Sequence, residues 1–106
     1  MNTPQFIAER LIHAVSREGS TTDVHLGVGT PYEITKDEWA CPVCLDGLHD
    51  NLRDQHGLDS WQALQLAYQL IEQLLTYFIE DGGKLYWPGI GEEVTVHELL
   101  PRAGRA

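Results

Sequence analysis

Both cysteines of the chain, Cys41 and Cys44, fall in the stretch EWACPVCLDGL at C-x-x-C spacing. Elsewhere that spacing holds zinc or performs thiol redox chemistry. Zinc wants further donors, and His49 and His56 extend the pattern to C-x2-C-x4-H-x6-H. Common zinc modules space their paired histidines about three to five residues apart, so the match is poor. A redox pair needs a helix opening at the first cysteine to lower its pKa, whereas LDGLHD reads as strand and turn. Apolar residues alternate at 39, 41, 43 and 45, which predicts a strand over 39–47. In such a strand Cys41 shares a face with Trp39, Val43 and Leu45, and Cys44 points the other way. Three strand residues also separate the two Cα atoms by ~10 Å, beyond the ~7 Å limit for bridging. A buried Cys41 and an incidental Cys44 is the favoured expectation. A metal site of Cys41, Cys44, His49 and His56 is the alternative.

The next cluster is HDNLRDQHGLD, with His49, Asp50, Asp54, His56 and Asp59. Carboxylates and imidazoles suit acid–base work or a metal, but a solvated loop whose Asp59 caps a helix accounts for the same residues. Gly27 and Gly29 precede Pro31 rather than a helix, so they read as a strand-end turn and not as a phosphate loop. His13, His25 and His97 stand alone in patterned elements, with no serine or cysteine placed beside them to make a triad. No catalytic residue and no cofactor is assigned, and the reading leans away from an enzyme.

The elements that position these groups centre on a helix over 59–80. Asp59 stands three residues before Gln62 in capping-box fashion, and Gly82-Gly83 closes the run. Its polar residues Gln62, Gln65, Gln69, Glu72, Gln73, Thr76 and Glu80 fall on one narrow stripe at 3.6 residues per turn. The apolar remainder exceeds the ~100° face that an ordinary surface helix buries, so cover is needed on two sides. Before the helix, a hairpin spans about 8–29, although residues 5–17 also carry helical periodicity. After it come a short strand over 84–87, cut off by Pro88-Gly89, and a tail over 94–106. There Thr95 and Glu98 have capping-box spacing. The fold expected is α+β in two layers, a three- or four-stranded mainly antiparallel sheet packed on one long helix within one domain, 1–106.

Together IAER (7–10), W-x-C-P (39–42), L-x-G-L (45–48) and GLDSWQALQLA (57–67) resemble a bacterial family of small single domains of unknown function. The likeness covers residues 7 to about 88. It implies an N-terminal hairpin and a third strand ahead of the long helix, hence a strand at residues 10–17. It implies no reaction or ligand, and Cys44 lies outside its motif.

The 106 residues carry seven Lys plus Arg against sixteen Asp plus Glu, a net charge of −9, with the basic residues scattered singly. Phosphate and anionic lipid are repelled, so neither nucleic acid nor membrane is an expected partner. With no basic start followed by an apolar run at the N-terminus, a cytoplasmic location is expected. The helix's apolar surplus and the aromatics Trp61, Tyr68, Tyr77 and Trp87 point to a homodimer or another protein partner. A non-enzymatic accessory or interaction module is the favoured function. A metal-binding or small hydrolytic or redox protein using Cys41 to His56 is the alternative.

Overall fold

Within residues 5–17, where strand and helix periodicities compete, Phe6–Val15 form a strand and the chain turns after it. The computed structural model describes residues 5–89 and 91–101; residues 102–106 of the expected tail lie outside the described residues. β1 (Phe6–Val15) pairs antiparallel with β2 (Thr21–Gly29), in register from Ala8 opposite Val28 to Val15 opposite Thr21, with a shift between Ala8 and Phe6, which lies opposite Gly29. Ile12 and Ala14 are buried on one face of β1, while Leu11 on the other is exposed. Long-range pairing and this two-residue alternation win over local helical preference.

The chain continues through β3 (Tyr32–Thr35), β4 (Glu38–Cys41), β5 (Val43–Asp46), β6 (Gln55–Gly57), α1 (Ser60–Glu80), β7 (Lys84–Tyr86), β8 (Glu93–Val94) and α2 (Val96–Leu99). All pairings are antiparallel. They make a five-stranded sheet of order β5-β2-β1-β7-β8 and a three-stranded sheet of order β3-β4-β6. The α+β class is as the sequence indicates, with more strand than the three or four expected. The strand expected over 39–47 is divided. β4 pairs in the small sheet and β5 in the large one, with Pro42 between them. Proline has no N–H to give a ladder, and here it marks the corner where the chain changes sheets.

α1 supplies the surface on which both sheets close. Its fully buried residues are Ala63, Ala67, Ile71 and Leu75, one every four positions, and it packs against β2, β4, β5, β6, β7 and α2. The two sheets and the short C-terminal helix cover one side of α1, and the side that carries Trp61, Tyr68 and Tyr77 stays exposed. Val94 and Leu100 are buried in the same core, so the tail supplies part of the cover. At the N-terminal end the approach is close: a Cβ on Gly57 would lie 2.6 Å from the Ala63 backbone nitrogen. Only glycine fits β6 at that point.

Both helix starts use the residues that their spacing predicts. Asp59 accepts a hydrogen bond from the Gln62 N–H at 2.8 Å, and Gln62 Oε1 accepts from the Leu58 N–H at 2.7 Å. Thr95 and Glu98 form a reciprocal capping box at α2. Asp59→Ala should therefore destabilise the fold by about 0.5 to 2 kcal/mol, read as a lower urea midpoint at unchanged slope. Asp59→Asn should recover most of it. Asp50→Ala, which loses only an exposed bond from the Gly47 N–H at 3.2 Å, should shift the midpoint much less. Equal shifts for Asp50→Ala and Asp59→Ala would show that the cap is not what stabilises this end.

Candidate functional site

The corner at Pro42 separates the two thiols. Cys41 is fully buried, its Sγ donating to the Gly29 carbonyl at 3.4 Å. Cys44 is half-buried on β5, in the large sheet. Neither thiol is in a disulfide. The four residues of the alternative metal reading do not converge. His49 is exposed beside an isolated bridge to Leu45, and the His56 Nδ1–H donates to Glu38 Oε2 at 2.7 Å on the small sheet.

The acidic and imidazole groups of 49–59 are likewise dispersed into local roles. Asp50 accepts from the Gly47 N–H, Asp59 caps α1, and Asp54 accepts from the Tyr32 hydroxyl at 2.6 Å. That last bond, with some burial, pushes the Tyr32 phenol above its ordinary 10.0.

A different cluster forms on the outer face of the large sheet, the face turned away from α1. The register sets Glu9, Gly27 and Cys44 in one row across β1, β2 and β5, and Leu11, His25 and Asp46 in the next. Residues of both rows share one face. His25 Nε2 lies 2.7 Å from Glu9 Oε1, and His25 Nδ1 lies 3.8 Å from Cys44 Sγ. A carboxylate only accepts, so the Nε2–H donates to Glu9, and Nδ1 is the ring nitrogen on the side of the sulfur. The register shift between Phe6 and Ala8 interrupts the alternation of β1, and the Phe6 ring meets His25 edge-on at 5.2 Å. Gly27 keeps the floor open: a Cβ there would sit 3.1 Å from the Phe6 ring and 3.3 Å from Glu9 Cβ. Along the sequence His25 stands alone and Cys44 is incidental. Nothing in their separation of nineteen residues links them; the strand register does.

Thiol, imidazole and carboxylate in that order could activate a cysteine nucleophile. The surroundings oppose it. Burial, with the charges of Asp46 and Glu9, pushes the Cys44 thiol above its ordinary 9.0, and its Sγ–H donates to the His25 carbonyl at 3.4 Å. An activated nucleophile needs the opposite shift. The same three residue types are ones that metal ions use as ligands. Among the described residues, His25, Cys44 and Asp46 offer one ligand atom each, all within 4.8 Å of one another.

The second candidate surface is the solvent side of α1. Trp61, Tyr68 and Tyr77 are 73%, 47% and 55% exposed, and with the glutamines between them they line an open groove bounded by Leu100 and Pro101. Tyr68 also lines a cleft of about 350 Å³ between α1, β1–β2 and the C-terminal segment. The fourth aromatic, Trp87, is elsewhere. It packs against the core under the Arg10 guanidinium, 5.0 Å from its ring centroid.

An α+β domain with two antiparallel sheets packed on one long helix, an exposed aromatic helix face and a thiol–imidazole cluster on the outer face of the large sheet is the class defined here. The chain belongs to the family described as a domain of unknown function (DUF6968), whose model matches residues 8–96. No curated protein and no solved structure matches it. Among the described residues no helix is long and apolar enough to cross a membrane.

In chelated buffer, Cys44 should react with iodoacetamide well before Cys41, because Cys41 is fully enclosed. Burial, then the Asp54 charge, also raises the Cys41 thiol above 9.0, so its thiolate fraction at neutral pH is low. The sign follows: the stability this thiol contributes is present below pH 9.0 and is lost as pH rises through the higher folded-state value. Peptide mass spectrometry of partially labelled protein checks the order. Equal fast labelling of both thiols would show that β4 does not close over Cys41.

Proposed function

We propose that this domain is a non-enzymatic accessory module that works by binding protein, and that it does so as a homodimer through the exposed face of α1. The observation that carries this reading is the exposure of Trp61, Tyr68 and Tyr77 along one helix already packed on its other sides. Large aromatics of this kind dominate interface energetics when a partner buries them. Leu100 is buried beside α1, yet all three rings remain in solvent.

Sparse charge on this face lets a second copy occupy it. Two chains of net charge −9 repel over most of their surface, and they can meet only where charge is sparse. From Trp61 to Tyr77 the one ionisable acid or base among Asp, Glu, Lys, Arg and His is Glu72. The same net charge disfavours nucleic acid. Two free thiols suit a reducing cytoplasm, which is part of the proposal.

Sedimentation velocity at micromolar concentration should give a dimer. Trp61→Ala combined with Tyr68→Ala should shift it to monomer, while the melting temperature of the dilute chain changes little, since both side chains are exposed. A wild-type chain that sediments as a monomer throughout that range overturns the homodimer.

A further inference from the structure

We propose that His25, Cys44 and Asp46 on the outer face of the large sheet form a zinc-binding site, with Glu9 as the residue that positions His25 for it. The donors are a thiol sulfur, an imidazole nitrogen and a carboxylate oxygen, already within 4.8 Å of one another. In a tetrahedral zinc site, bonds of about 2.3 Å to sulfur and 2.0 Å to nitrogen set the two donors about 3.6 Å apart. The Cys44 Sγ to His25 Nδ1 distance is 3.8 Å. Small rotations of the Cys44 and Asp46 side chains close the rest, and water takes the fourth position.

The Glu9 contact is an independent observation that points to a ligand. Histidines that bind a metal through one ring nitrogen usually donate the other N–H to a carboxylate or carbonyl, which fixes both tautomer and ring orientation. Glu9 Oε1 makes that contact with Nε2 at 2.7 Å, leaving Nδ1 free on the side of the sulfur. Charge favours a dication as well. Asp46 and Glu9 crowd negative charge around a site that a thiolate would make more negative, and a bound divalent ion reverses that balance. Thiolate and imidazole select zinc over magnesium and calcium, which prefer all-oxygen sites. Cys41 takes no part, because its Sγ faces the Gly29 carbonyl in the core. The site lies on the side of the sheet away from α1, so zinc binding does not depend on the dimer.

Zinc alone, titrated into the chelator-stripped chain in competition with a chromophoric chelator, should bind with a stoichiometry of one per chain. Cobalt in its place should give the thiolate-to-metal charge-transfer absorption that only a cysteine ligand produces. Cys44→Ser should abolish that band. His25→Ala should weaken zinc by more than the roughly 10- to 100-fold that loss of an outer-sphere partner costs. Glu9→Ala should cost about that 10- to 100-fold and keep the band, as a positioning residue should. His56→Ala should change nothing. The wild-type chain gives a test that needs no variant: zinc should protect Cys44 from iodoacetamide, and a chelator should restore its labelling. No charge-transfer band in the wild type, a band that survives Cys44→Ser, or Cys44 labelling indifferent to zinc would each overturn the site.

Discussion

The seam Ala63, Ala67, Ile71 and Leu75 on α1 is the surface on which everything else closes. Beside Ala63 the helix and β6 come so close that Gly57 has no room for a side chain. The seam's two larger residues fill the space under the five-stranded sheet together with Ile12, Val24, Leu45 and Leu85. Fully burying an Ile or Leu side chain is worth about 1.5 to 3 kcal/mol each, so these contacts carry far more energy than any cap or surface pair. The small sheet and the large sheet do not share a ladder. What holds them together is the one helix on which both pack and the four-residue spacing of its buried side.

The corner at Pro42 is the second constraint, and it follows from the first. For β4 to lie with β6 beside the start of α1, and β5 to extend the large sheet beside β2, the chain must change partners between Cys41 and Val43. Side-chain alternation runs through the corner, with Cys41, Val43 and Leu45 all buried. The consequence is chemical. One thiol is locked in the core, and the other is delivered to the outer face of the sheet, opposite Gly27 and diagonal to His25.

The two surfaces that this arrangement leaves available differ in kind and in place. The solvent side of α1 offers aromatic rings and amides with little charge. The outer sheet offers a sulfur, two imidazoles and several carboxylates, with the His13 Nδ1–H donating to Asp23 Oδ1 at 3.1 Å beside the His25 cluster. One suits burial against a surface of the same composition, the other suits a small cation. Because the inner face of the sheet and the buried side of α1 lie between them, a change at one need not reach the other.

The sequence by itself determined the elements whose signals are local. The 3.6-residue stripe from Gln62 to Glu80, the Asp59 cap and the Thr95–Glu98 box placed the helices to within a residue or two, since each depends on neighbours four positions away at most. The opposite facing of Cys41 and Cys44 was legible from strand alternation alone. Residues 5–17 were not decided locally, because the same residues carry both periodicities and only the ladder to β2 chooses between them. The break at Pro42, the small sheet and the partnership of Glu9, His25 and Cys44 were decided by the tertiary structure alone. Each depends on which strands lie side by side, and a register between residues nineteen apart leaves no periodic trace in the chain that carries them.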